Sequence, residues 1–87
     1  MRLIRFTALW CPSCLLMRPR YDKAFASHPG VSTISYDYDE SPEEVSRWGI
    51  GHLLPVVILE EDGKELARLT GEKSPKELAR WAEEWLR

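Results

Sequence analysis

The chain has 87 residues, 12 Lys+Arg against 14 Asp+Glu, a net charge of −2 and 44% hydrophobic residues, enough for one modest core, since a domain of this size buries only about 60–65% of the surface its unfolded chain exposes. Its basic residues are scattered through a mildly acidic sequence, so there is no electrostatic footprint for nucleic acid or an anionic membrane. No run approaches the roughly 18 apolar residues of a membrane span, and Arg2 and Arg5 interrupt the apolar start, unlike a secretory signal; the expectation is a cytoplasmic, monomeric, single domain over residues 1–87.

In chain order, residues 3–7 read as a strand rich in aromatic and branched side chains. A helix follows, with Pro12 in its first turn and an apolar stripe at Cys14, Met17, Tyr21 and Phe25, kinked at Pro19. Pro29 and Gly30 break the chain before a second strand at residues 31–37. Ser41-Pro42-Glu43-Glu44 and Ser74-Pro75-Lys76-Glu77 each place Ser at the N-cap, Pro at N1 and Glu at N3, the pattern of a capping box. The first opens a short helix ending near Trp48-Gly49; the second opens a helix whose stripe of Leu78, Trp81, Ala82, Trp85 and Leu86 covers the sheet, with Trp81 and Trp85 as core anchors. Between them, residues 55–59 form a continuous apolar run, hence a buried strand, and a turn at residues 61–64 returns the chain as a strand over residues 66–70. The order β-α-β-α-β-β-α predicts an α/β domain: a four-stranded mixed sheet with helices on both faces.

The two cysteines, Cys11 and Cys14, fall where the first strand hands over to the first helix, the end of an open α/β sheet at which sites collect. A disulfide between them closes too short a loop to act as a staple. Structural zinc needs four ligands, and only His28 and His52 are left to join the sulfurs, without zinc-finger spacing. The pair therefore points to chemistry. With Pro12 at N1, Cys11 is the N-cap, and its sulfur faces the backbone N–H groups of Ser13 and Cys14 at the positive end of the helix dipole. Those donors favour a thiolate, the reactive species. Cys14, one turn along the same face, is placed to resolve a mixed disulfide formed at Cys11.

Trp10-Cys11-Pro12-Ser13-Cys14, Pro19 five residues after the second cysteine, Pro55 before a buried strand and Gly71 after the hairpin together resemble the thioredoxin superfamily. The resemblance spans residues 3–86 and implies the minimal version of that fold, as in glutaredoxins. It further implies a cis bond before Pro55, packed beside the cysteines, with Leu54 offering backbone atoms to a partner's extended chain and Trp10 shielding the site. Pro12 and Ser13 occupy the variable pair between the cysteines. The implied activity is exchange of the dithiol with disulfide-containing proteins, without a cofactor or metal, with a reductase or a low-molecular-weight thiol as electron donor. Two departures stand out: Arg5 replaces the family's buried aspartate, and Ala8 replaces the basic residue that glutaredoxins use for glutathione. Arg5 either lies behind the cysteines and stabilises thiolate or pairs with a carboxylate at the surface.

Other residues read more plainly. The acidic run Asp37-Tyr38-Asp39-Glu40 precedes a helix and reads as capping and solvation rather than a cation site. His52 reads as a solvated loop residue, His28 as a structural helix-end residue, Trp48 and Met17 as core, and Leu9, Trp10 and Leu54 as an apolar rim around the sulfur. Two alternatives to the oxidoreductase use the same residues: a non-catalytic peptide-binding adaptor, and a dithiolate carrier of soft metal ions such as Cu(I).

Overall fold

A computed structural model describes residues 1–86. The elements are β1 (Arg2–Thr7), α1 (Pro12–Phe25), β2 (Ser32–Asp37), α2 (Pro42–Arg47), β3 (Val56–Glu61), β4 (Lys64–Thr70) and α3 (Pro75–Trp85). They build one sheet in the order β2-β1-β3-β4. β1 and β2 run parallel, with Arg5 opposite Ser35, while β3 lies antiparallel to both β1 and β4. This is the expected mixed sheet. Among the described residues no helix is long and apolar enough to cross a membrane.

Side chains on successive strand residues point to opposite faces, so the central strands feed two cores. Leu3, Val57 and Leu59 pack with Met17, Tyr21 and Phe25 of α1 and Leu78 and Ala82 of α3. Ile4, Phe6, Val56 and Ile58 pack on the other face with Trp48 and Ile50 that follow α2, and with both cysteines. The stripe of α1 therefore changes allegiance along its length. Its body belongs to the first core, and its first turn closes the second.

Turn chemistry fixes the hairpin. Asp62 (φ 54°) and Gly63 (φ 80°) both take positive φ, as a two-residue type I′ turn requires. Glu60 braces it: one carboxylate oxygen accepts the Gly63 N–H at 2.8 Å and the other accepts from Arg2 Nε at 2.9 Å. At the end of α2, Gly49 (φ 62°) permits a Schellman closure, in which Ile50 N–H donates to Val45 O at 2.9 Å and Gly49 N–H to Ser46 O at 3.2 Å. That closure turns the chain toward Leu54 and Pro55.

Two expectations are corrected. Ser74 forms its capping box with Glu77, but Ser41 makes no side-chain cap bond. Ser74 has ψ 158°, which swings its hydroxyl over the helix end, whereas Ser41 has ψ 55°. Trp85 is exposed rather than a core anchor; Leu78, Ala82 and Leu86 fill that stripe instead. Trp81 is partly buried and packs against Phe25, ring centroids 6.1 Å apart.

Candidate active site

After β1 the chain makes a tight turn, closed by Cys11 N–H donating to Ala8 O at 3.2 Å, and enters α1 with Pro12 in its first turn. Cys11 is the N-cap in extended conformation (φ −97°, ψ 107°), and its Sγ accepts the Cys14 N–H at 3.2 Å. The sequence suggested two amide donors, from Ser13 and Cys14. The bond formed is the one from Cys14, because that amide sits at N3, over which an N-cap side chain folds back.

Both sulfurs are enclosed. Cys11 and Cys14 are each 6% exposed and lie in the second core beside Leu54. They are not equivalent. Burial, and next the hydrogen bond with Cys11, push the Cys14 thiol up from 9.0 to about 11, against the opposing pull of the Ala8 amide. Cys14 thus remains a protonated thiol at neutral pH, beside the N-capping sulfur of Cys11.

The apolar rim foreseen at Leu9, Trp10 and Leu54 divides. Leu54 is 5% exposed and forms the floor under the cysteines, while Leu9 at 93% and Trp10 at 58% stand in solvent. Leu53, also exposed, was not foreseen; it packs over Gly71, whose φ of 80° is the left-handed conformation that favours glycine. The Leu54–Pro55 bond is cis, Pro55 is fully buried, and its carbonyl accepts the Gly71 N–H at 2.8 Å. Pro12 is exposed and Ser13 half-buried at the mouth.

Trp10 is positioned by a partner that sequence reasoning missed. Its Nε1 donates to Asp39 Oδ2 at 2.7 Å, and its ring meets Tyr38 edge-on at 6.3 Å. Asp37 Oδ1 in turn accepts the backbone N–H groups of Asp39 and Glu40, at 2.9 and 3.2 Å. The bonds of Asp37 and Asp39 thus lie within the acidic run and to Trp10, not to the start of α2. The run fixes a turn that delivers Asp39 to the indole, and the sequence signal was the Asp-x-Asp spacing of a side-chain-closed turn.

Arg5 shares the face of Leu3, beneath α1. Its guanidinium reaches Asp22 Oδ1 through both terminal nitrogens at 3.3 Å and lies over the rings of Tyr21 and Phe25, 5.2 and 5.8 Å from their centroids. Of the two readings open for Arg5, carboxylate pairing is the contact observed. His52 is exposed in its loop and His28 half-buried at the end of α1. Among the described residues no group of three or more His, Cys, Asp or Glu side chains is arranged to hold a metal ion.

The thioredoxin family model matches residues 1–84. A thioredoxin of Chlamydia muridarum (strain MoPn / Nigg) is 33% identical over 78 residues, covering 90% of this chain and 76% of that protein. The crystal structure of mitochondrial thioredoxin 3 from Saccharomyces cerevisiae, in its oxidized form, is 26% identical with a TM-score of 0.79, covering 95% of this chain and 76% of that one. Thioredoxin 1 of Thermosipho africanus shares the fold, with a TM-score of 0.80 at 21% identity, over 99% of this chain and 94% of that one.

Proposed function

The chain belongs to the thioredoxin family, and from that premise we propose a thiol–disulfide oxidoreductase that reduces protein disulfides through Cys11 and Cys14. The observation that carries the reading is the asymmetry of the pair: one sulfur caps a helix and receives an amide, and the other is a buried thiol one turn away. The first is suited to attack and the second to wait.

In the forward direction the Cys11 thiolate attacks one sulfur of a partner disulfide. A Cys11–partner bond forms, and the other partner sulfur leaves as a thiolate that takes up a proton. Cys14 then loses its proton and attacks Cys11 Sγ. The partner departs as its second thiol, two electrons richer, and Cys11 and Cys14 are left joined. A reductase or a low-molecular-weight thiol restores the dithiol. Leu9, Trp10 and Leu53 offer apolar surface to an unfolded segment of the partner, and the Leu54 backbone beside cis-Pro55 offers hydrogen bonds to an extended chain. Pro12 and Ser13 shape the entrance.

The test is dithiothreitol-driven reduction of a disulfide-bonded protein. Native chain accelerates it, and Cys11→Ser returns the rate to that of dithiothreitol alone. Cys14→Ser accumulates a covalent adduct with the partner, visible by mass and released by reductant. Equal rates for native and Cys11→Ser overturn the reading.

A further inference from the structure

The resolving step carries a cost, because Cys14 must lose its proton although burial holds the thiol up to about 11. Cys14 lines a cleft of about 380 Å³ with Arg5 from β1, Arg18, Tyr21 and Asp22 from α1, and Asp37 from β2. The carboxylates there are committed: Asp22 accepts from Arg5, and Asp37 from the amides of Asp39 and Glu40. A donor is not. The Tyr21 hydroxyl is buried and, among the described residues, has no hydrogen-bond partner, a state that native proteins seldom leave without a reason. On its other sides β3 and α3 meet Tyr21 with Val57, Leu59, Leu78 and Ala82. Two observations direct the hydroxyl at the sulfurs. Tyr21 follows Cys14 and Met17 on the buried stripe of α1, and an aromatic side chain on a helix leans toward the N-terminus, which here is the cysteine end. Burial pushes ionisation of the hydroxyl up, Arg5 pulls it down from 5.2 Å above the ring centre, and charge on Cys14 and then on Cys11 pushes it up. The hydroxyl therefore lies within electrostatic reach of both sulfurs and keeps its proton while Cys14 ionises.

We propose that Tyr21 is a catalytic residue of the resolving step, its hydroxyl donating a hydrogen bond to Cys14 Sγ as that sulfur becomes a thiolate. The inference rests on the dithiol reading above and adds the group that serves its second half. Cys14 gives its proton to water, and Tyr21 keeps its own. The Cys14 thiolate then uses an electron pair to bond Cys11 Sγ and the Cys11–partner bond breaks. The partner leaves with the electrons of that bond as a thiolate, which takes up a proton. In the resting dithiol Cys14 is a neutral thiol, so the acceptor for which the hydroxyl is placed exists only during turnover. That accounts for a buried donor with no partner at rest, a group set in advance where negative charge will develop. The two sulfurs thereby draw on different donors: the Cys14 amide serves Cys11, and a phenol two turns along α1 serves Cys14.

The experiment follows release of pyridine-2-thione when the reduced chain meets excess 2,2′-dithiodipyridine. The first release depends on reagent concentration and reports attack by Cys11; the second does not, and reports attack by Cys14 on the Cys11 mixed disulfide. Tyr21→Phe keeps the ring, leaves the first rate unchanged and slows the second about threefold at pH 7. One hydrogen bond to a charged group eases ionisation of its thiol by about one pH unit or more, and roughly half of that gain is returned because a less basic thiolate is a weaker nucleophile. The deficit closes as pH rises toward about 11, where Cys14 ionises with or without the bond. The urea midpoint of Tyr21→Phe does not fall, since a hydroxyl unpaired at rest contributes no bond to the folded state. An unchanged ratio of the two rates overturns the proposal, whether both hold or both slow together, as does a deficit that persists at high pH. If the native chain releases its second thione at a rate that Tyr21→Phe matches, only this inference fails. If the native chain shows no concentration-independent release, the oxidoreductase reading fails first.

Discussion

A buried thiol held up to about 11 reacts slowly with an alkylating agent at neutral pH, because only its thiolate is a nucleophile. Brief treatment of the reduced chain with iodoacetamide at pH 7, followed by peptide mapping, is therefore expected to label Cys11 well before Cys14; the reverse order would contradict the proposed division of labour. As pH rises from 9.0 toward about 11, labelling of Cys14 catches up. At this scale the sulfurs were legible in the sequence, because Pro12 at N1 makes the residue before it the cap. The Trp10–Asp39 bond was not, since it joins residues 29 apart and depends on how the turn after β2 is closed. Nor could spacing choose between the two readings of Arg5. The choice needed the position of Asp22, which α1 carries directly over β1.

Two helix starts of nearly identical sequence behave differently, and that difference is measurable. Ser74→Ala removes the hydroxyl that accepts the Glu77 N–H, one half of a reciprocal cap whose other half is donated by the backbone N–H of residue 74, and is expected to cost about 1 kcal/mol. Ser41→Ala removes no cap bond and is expected to change stability by less than about 0.5 kcal/mol. Urea denaturation of the two variants checks the contrast, and equal losses would count against it. The S-P-x-E pattern marked both starts correctly, with α2 opening at Pro42 and α3 at Pro75. It did not carry the backbone angle at the cap, which at Ser41 follows a turn already fastened by Asp37. Strand boundaries moved by one or two residues, with β1 opening at Arg2, β2 at Ser32 and β3 at Val56, β3 running on to Glu61 and β4 opening at Lys64. Arg2 joins its strand because Glu60 on β3 pairs with it across the sheet, a contact that no local pattern announces.

Across the whole molecule, the order of elements and the mixed sheet were legible, since a β-α-β unit demands a parallel pair and a tight hairpin demands an antiparallel one. The partition into two cores bridged by α1 was not, because a helical stripe reads as one face until the sheet beneath it ends. Acid stability follows from two carboxylates in different elements. The Gly63 amide, and then Arg2, hold Glu60 below 4.5, and the Ser74 amide and hydroxyl hold Glu77 below it. A carboxyl lowered by folding adds stability above its unfolded value, and that contribution is lost as pH falls through the folded one. The urea midpoint is thus expected to hold from pH 7 to about 5 and to drop below 4.5. The drop is shallower in Glu60→Gln/Glu77→Gln; an unchanged slope would assign acid lability elsewhere. The two margins of the sheet matter in another setting. A bare strand edge is a template on which other copies can add and grow into fibrils. Here β2 presents exposed Ser32, Thr33 and Ser35, and β4 flanks its exposed Leu66 with Lys64, Glu65 and Arg68. Charges guard the β4 border, whereas residues 32–35 of β2 carry none, so strand-by-strand polymerisation in concentrated solution is opposed at the first margin and not at the second.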